Sequence, residues 1–150
     1  MSCAVLGLGS PHGDDLVGWI LIDELHTVVS SEIVCEKLST PAHGLVNILP
    51  QYDRVIVIDA CEMGKQAGEY VYHEDGSGFL HIQNVQVSSH SLGLAESWQL
   101  LKKLDMPLPQ ISLLLIQIGQ TEAMAPLSDG VEKKLPQLIE LLNKTVISVN

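Results

Sequence analysis

Two carboxylate positions and one imidazole position carry the chemistry that this sequence suggests. Asp14 and Asp15 form an acidic pair near the start of the chain, Asp59 ends an apolar run that begins at Arg54, and His90 follows later. In an α/β fold such positions fall on loops at one edge of a parallel sheet, where side chains from different strands converge. We therefore predict that Asp15, Asp59 and His90 meet at one metal-sized point.

The acidic pair offers two separate roles. A carboxylate in the first turn of a helix accepts hydrogen bonds from free N–H groups and is stabilised by the helix dipole. Capping the first helix needs only one side chain, which leaves the other free to point into the crevice. We assign the metal contact to Asp15 and expect its neighbour to be available as the cap.

The predicted ligand set indicates an open site. One imidazole and two carboxylates leave coordination positions for a substrate, whereas a structural zinc site is closed by four protein ligands. Nickel, zinc, cobalt and manganese all accept nitrogen and oxygen donors, so the ligands alone do not name the metal. His12 and His43 are secondary candidates for the same rim, as hydrogen-bond partners of the ligands.

Apolar runs alternating with helical repeats predict the frame that holds these residues. Strands are predicted at 4–8, 33–38, 55–58, 69–73 and 111–118. Helices are predicted at 15–28 and 44–52, from Ser88 or Ser89 to Leu104, and from Ser128 onward with a kink at Pro136, while 75–78 is predicted as a loop. This order predicts right-handed crossovers and a mostly parallel sheet covered on both faces. If the first strand lies between the second and third, as in flavodoxin-like orders, the loops after the first and third strands flank the crevice where ligands bind.

Composition predicts one soluble domain over residues 1–150 in the cytoplasm. No apolar stretch reaches the roughly 18 residues that cross a bilayer, and the first residues lack the basic and apolar regions of a signal peptide. The net charge of -10 argues against nucleic acid and membrane partners, which require clusters of Lys and Arg. The 3 cysteines are widely separated, and we expect buried thiols without disulfides.

Three segments together resemble the maturation endopeptidases of nickel-iron hydrogenases. Gly7-Leu-Gly9-Ser-Pro-His-Gly-Asp14-Asp15 is similar to the family's opening G-x-G-N-x-x-x-x-D-[DE]. Val57-Ile-Asp59-Ala60, followed by Met63-Gly64 and Gly68-Glu69, and then Ser89-His90-Ser-Leu-Gly-Leu94 continue the match along nearly the whole chain. These segments occur in the order and at the spacing of the family.

The resemblance implies a fold, an activity and a partner. The fold would be a three-layer α/β/α sandwich around a five-stranded twisted sheet, flavodoxin-like or phosphorylase/hydrolase-like. The activity would be removal of the C-terminal extension of the hydrogenase large subunit precursor after nickel insertion. The family's nickel-contacting triad falls on Asp15, Asp59 and His90, and the nickel would come with the substrate, with zinc or cadmium as substitutes in vitro.

Some loops depart from the family pattern, and two other functions fit part of the sequence. Ser10 stands where the family usually has Asn, and Gln117-Ile-Gly-Gln120 replaces its usual G-I-x-P. The acidic pair with Asp59 also fits a phosphoacceptor receiver domain, although no lysine follows the last predicted strand. The third interpretation is a non-catalytic module that binds the hydrogenase precursor.

Overall fold

A five-stranded sheet with strand order β2-β1-β3-β5-β4 forms the centre of the computed structural model, which describes residues 2–39, 44–80 and 89–149. The strands are β1 (Cys3–Gly9), β2 (Val34–Ser39), β3 (Arg54–Cys61), β4 (Tyr70–His73) and β5 (Gln110–Gln117). The helices are α1 (Val17–His26), α2 (Leu45–Ile48), α3 (Ser77–Leu80), α4 (Ser89–Lys103) and α5 (Asp129–Val149), with 3₁₀ turns at Gly13–Leu16 and Leu49–Gln51.

The strand pairing confirms the predicted topology. β1 pairs in parallel with both β2 and β3, and β3 pairs in parallel with β5, so β1 lies between β2 and β3, which is the condition under which the loops after β1 and β3 flank one crevice. Only the edge strand β4 is antiparallel, along β5. Because β1, β3 and β5 run in the same direction, the loops that follow them emerge at one edge of the sheet.

Helices cover both faces of this sheet, as expected for an α/β/α sandwich. On the first face, Val5 and Ile56 of the strands pack with α1 and with the stripe Val131, Leu138 and Leu142 of α5. On the second face, alternate strand residues pack with α2 and α4, and the group comprises Leu6, Val55, Val57, Leu94, Trp98 and Leu101. Alternation along β3 therefore assigns each of its side chains to one helical layer.

Several local predictions were wrong at the ends of elements. The segment 75–78 was predicted as a loop, but Asp75 Oδ1 accepts bonds from the N–H and hydroxyl of Ser77 (3.1 and 2.6 Å), and α3 begins there. Leu104 was expected in the core and is 60% exposed, because α4 ends at Lys103 and the helical spacing does not continue. The kink expected at Pro136 stays a prediction, since the residue lies inside α5, which continues past it to Val149.

Two glycines allow β1 and α1 to approach each other closely. A Cβ atom at Gly7 would lie 2.5 Å from the carbonyl oxygen of Gly18, and one at Gly18 would lie 2.7 Å from the carbonyl oxygen of Leu8. Both neighbours are backbone atoms, which cannot rotate away. Glycine at these positions thus fixes how near the first helix, and the loop that leads into it, lies to the sheet.

We predict that Gly18→Ala lowers the free energy of unfolding by about 1–3 kcal/mol, because the added methyl group overpacks the contact with β1. This loss should occur although alanine favours a helix over glycine by about 1 kcal/mol. Gly78→Ala is the matched control, since no atom of the described residues lies within 4 Å of the added Cβ and the stability should be equal or slightly higher. Equal denaturant midpoints for Gly18→Ala and the wild type would contradict the close contact.

Candidate functional site at the carboxyl edge of the sheet

Asp15 lies in the 3₁₀ turn between β1 and α1, at the carboxyl end of β1. Its side chain is partly buried, and the hydroxyl of Ser10 donates a hydrogen bond to Asp15 Oδ2 (3.2 Å). The backbone closes the same loop, because Ser10 N donates to the Asp15 carbonyl (3.2 Å). Ser10 thus orients the carboxylate that was predicted to contact a metal.

Asp59 lies inside β3, two residues before the end of the strand. The sequence predicted that the strand would end at Ile58, but the ladder continues to Cys61, and Asp59 pairs with Leu115 of β5. The residue is 1% exposed. Alternation places it on the same side of β3 as Val55 and Val57, which is the face that α4 covers.

His90 lies in the first turn of α4, and the structure describes its backbone but not its side chain. His43 also lies outside them. Within the ranges that the structure describes, no three His, Cys, Asp or Glu side chains are grouped so as to hold a metal ion. The meeting of Asp15, Asp59 and His90 therefore stays a prediction.

Asp14 joins three separate segments of the chain. Its Oδ2 accepts hydrogen bonds from Gly119 N (2.5 Å), Gln120 N (3.0 Å) and the hydroxyl of Ser128 (2.7 Å), and its Oδ1 accepts one from Ser128 N (2.7 Å). The side chain is fully buried, at 0% exposure. Ser128 immediately precedes α5, so the carboxylate also lies at the positive end of a 21-residue helix.

This geometry corrects the expected role of the acidic pair. One of the two aspartates was expected to cap α1, yet neither the 3₁₀ turn nor α1 has a side-chain cap at its start. Asp14 instead binds the start of α5 and the loop after β5. The local sequence favours a cap on the nearest helix. Only the strand order shows that the loop after β5 lies close enough for its backbone N–H groups to bind the Asp14 carboxylate instead.

A second hydrogen-bond network, which the sequence patterns did not predict, holds the loop after β3. The Gln117 side chain is buried, and its Oε1 accepts hydrogen bonds from Met63 N (2.7 Å) and Lys65 N (3.1 Å). Its Nε2 donates to Glu62 Oε2 (2.9 Å) and to the carbonyl of Ile118 (2.9 Å). A glutamine at the end of an apolar strand, at the same edge as Asp59, is the signal that could have identified it.

Cys61 follows Asp59 on the same side of β3 and is fully buried. Burial, with further contributions from the charges of Asp59 and Glu62, raises the pKa of the Cys61 thiol to about 12. The thiol is therefore protonated at neutral pH and behaves as a small apolar side chain, as predicted. All 3 cysteines are free, and Cys35 is only partly buried.

Similarity to known proteins is found in both sequence and structure. A family model described as HycI, hydrogenase maturation protease, matches residues 39–145. This segment contains Asp59 and His90 and begins after the acidic pair. No curated protein matches the chain. None of the helices in the described ranges is long and apolar enough to cross a membrane.

Solved structures share the fold. The hydrogenase maturating endopeptidase HybD from E. coli superposes with a TM-score of 0.86 at 20% sequence identity, over 100% of this chain and 94% of that chain. The [NiFe] hydrogenase maturation protease HybD from Thermococcus kodakarensis gives 0.77 at 22% identity, over 97% and 99% of the two chains. HycI from Thermococcus kodakarensis KOD1 gives 0.73 at 21% identity, over 95% and 90%.

We predict that Asp14→Asn lowers the free energy of unfolding by about 2–4 kcal/mol. An amide NH₂ in place of one carboxylate oxygen would face an N–H or O–H donor, and a buried donor would lose its acceptor. Asp129→Asn makes the same substitution at the exposed start of α5 and should cost less than about 1 kcal/mol. Chemical denaturation measures the free energy of unfolding of both variants. Equal losses would show that the buried Asp14 carboxylate does not hold these segments together.

Proposed function

This chain belongs to the hydrogenase maturation protease family, and we propose that it is the endopeptidase that removes the C-terminal extension of a nickel-iron hydrogenase large subunit precursor after nickel insertion. Family membership makes the protein a hydrolase that acts on a protein substrate. We further propose that it recognises the nickel of the precursor through Asp15, Asp59 and His90. We assign the reaction to the cytoplasm, the compartment predicted from the sequence.

The adjacency of β1 and β3 is the observation that best supports nickel recognition. Asp15 follows the first of these paired parallel strands, and Asp59 lies near the carboxyl end of the second. The helix α4, which begins with Ser89 and His90, packs through Leu94 and Trp98 against the sheet face that includes Asp59. This order of strands and helices supports the proposal that the three residues meet at the carboxyl edge of the sheet.

The donor set suits a metal ion that arrives with the substrate. Two carboxylates and one imidazole supply oxygen and nitrogen donors that nickel accepts, and they leave positions for the precursor's own ligands. Because Asp59 is almost completely buried, the attraction between its carboxylate and a cation is screened less than at the surface. Zinc or cadmium would replace nickel in vitro through the same donors.

Contact with the nickel would link cleavage to the maturity of the precursor. An empty precursor offers the two carboxylates no cation, so only the nickel-loaded form would be held with its scissile bond beside the crevice. Positioning of this kind can remove several kcal/mol from a reaction barrier. The hydrogen bond from Ser10 would hold Asp15 in the orientation that this contact needs.

The two alternative functions do not agree with these findings. Membership of the hydrogenase maturation protease family argues against both the receiver domain and the non-catalytic binding module. The sheet also carries an antiparallel edge strand, β4, and β5 runs into Ile118 and Gly119 without the lysine that a receiver requires.

We predict that Asp59→Asn and His90→Ala each slow the processing of a nickel-loaded precursor by about 100-fold while the protein stays folded. The loss follows from removing one charged or nitrogen donor from the nickel contact. Cleavage is measured by mass spectrometry of the precursor's C-terminus, with circular dichroism to verify folding.

The matched controls are Asp105→Asn and His26→Ala, which are exposed and lie near the ends of α4 and α1 that are remote from this edge. Both controls should process the precursor at the wild-type rate. Wild-type processing by Asp59→Asn or His90→Ala would remove the proposed nickel contact.

A further inference from the structure

We propose that His12 donates a hydrogen bond from Nε2–H to a backbone carbonyl oxygen of the precursor and is not a nickel ligand. This inference rests on the proposed function. It assigns a role to a histidine of the first loop that was only a secondary candidate in the sequence.

The backbone N–H of Met124 fixes the tautomer of His12. Met124 N donates a hydrogen bond to His12 Nδ1 (3.1 Å). A ring nitrogen that accepts this bond carries no proton, so the neutral imidazole carries its hydrogen on Nε2. Nε2 is then a donor only.

This tautomer excludes a metal contact through the same ring. Nδ1 is already occupied by the Met124 N–H, and Nε2 could bind a cation only if its proton moved to Nδ1. Two N–H groups would then face each other at hydrogen-bond distance, at the cost of the Met124 bond. His12 therefore offers a hydrogen to an acceptor and no lone pair to a metal.

The backbone on both sides of this bond is held firmly. Next to His12, Gly13 N donates to the Ala125 carbonyl (3.0 Å), and Asp14 N donates to the Gln120 carbonyl (2.7 Å). Met124 has a left-handed backbone with φ of 58°, which non-glycine residues adopt rarely and often near functional sites. These bonds hold the backbone of the two loops, and the Met124 N–H determines which ring nitrogen of His12 acts as the acceptor.

The location and surroundings of Nε2 favour a substrate acceptor. His12 is partly buried in the loop after β1, and its carbonyl accepts a hydrogen bond from Asp15 N (3.1 Å). Among the side chains and backbone that the structure describes, Nε2–H has no hydrogen-bond partner. A main-chain carbonyl is the acceptor that every peptide offers, and His12 lies only three residues before Asp15, the carboxylate proposed to contact the precursor's nickel.

Two amide substitutions separate the donor role from a purely structural one. The Oδ1 of His12→Asn occupies the place of Nδ1 and keeps the Met124 bond but removes the outer donor. The amide of His12→Gln reaches the place of Nε2 and restores a donor there. We expect kcat/KM for a nickel-loaded precursor to fall about tenfold in His12→Asn, the effect of one neutral hydrogen bond, and to recover most of the wild-type value in His12→Gln.

The control is His26→Asn, which changes an exposed histidine at the far end of α1 and should process the precursor at the wild-type rate. Wild-type activity in His12→Asn, or the reverse order of the two variants, would show that the ring only holds the loop and would overturn the inference. If the wild-type protein leaves the precursor uncut, the proposed function itself fails. If the wild type cuts and His12→Asn cuts equally fast, only the role of His12 fails.

An NMR measurement tests the inference even if a variant does not fold. Long-range ¹H–¹⁵N spectra of the wild-type protein, recorded where the ring is neutral, should show the proton of the His12 ring on Nε2. Protonation at Nδ1, or loss of the Nε2 proton on addition of a nickel-loaded precursor, would overturn the inference.

Discussion

The buried carboxylate of Asp14 is the interaction on which the architecture of this edge depends. It receives four hydrogen bonds from the loop after β5 and from the residue that precedes α5, and it comes from the loop after β1. A carboxylate removed from water is costly unless N–H and O–H groups surround it. Here the backbone of Gly119 and Gln120, together with Ser128, supplies them, and the cost of breaking this arrangement keeps the two loops together.

The hydrogen bonds at this edge of the sheet agree with the proposal that the protein recognises a metal ion bound to its substrate. A resident metal would organise its own ligands, whereas a metal that arrives with a protein partner must find the donors already in place. Asp14 fixes the backbone immediately before Asp15, Ser10 orients its carboxylate, and Gln117 secures the loop that follows Asp59 and β3. These hydrogen bonds hold the segments that carry Asp15 and Asp59, the two carboxylates of the proposed nickel contact.

The elements and their order were predictable from the sequence, because each depends on local patterns. The apolar run before Asp59 predicted a buried central strand, and the alternation of strands and helices predicted the mostly parallel sheet. Predictions failed at the ends of elements, as in the segment 75–78, and where a contact joins distant segments. Asp14 was assigned to the nearest helix since its real partners, such as Ser128, are separated from it by most of the chain, and Leu104 was assigned to the core although α4 ends before it.

The most direct test of the central claim is an anomalous difference map from crystals soaked in nickel or cadmium. The account predicts one ion at the carboxyl edge of the sheet, with oxygen atoms of Asp15 and Asp59 and a ring nitrogen of His90 within about 2.5 Å. His12 should not be among its ligands. An ion bound elsewhere, or one that contacts only one of these three side chains, would contradict the proposal that the three side chains together bind the nickel of the precursor.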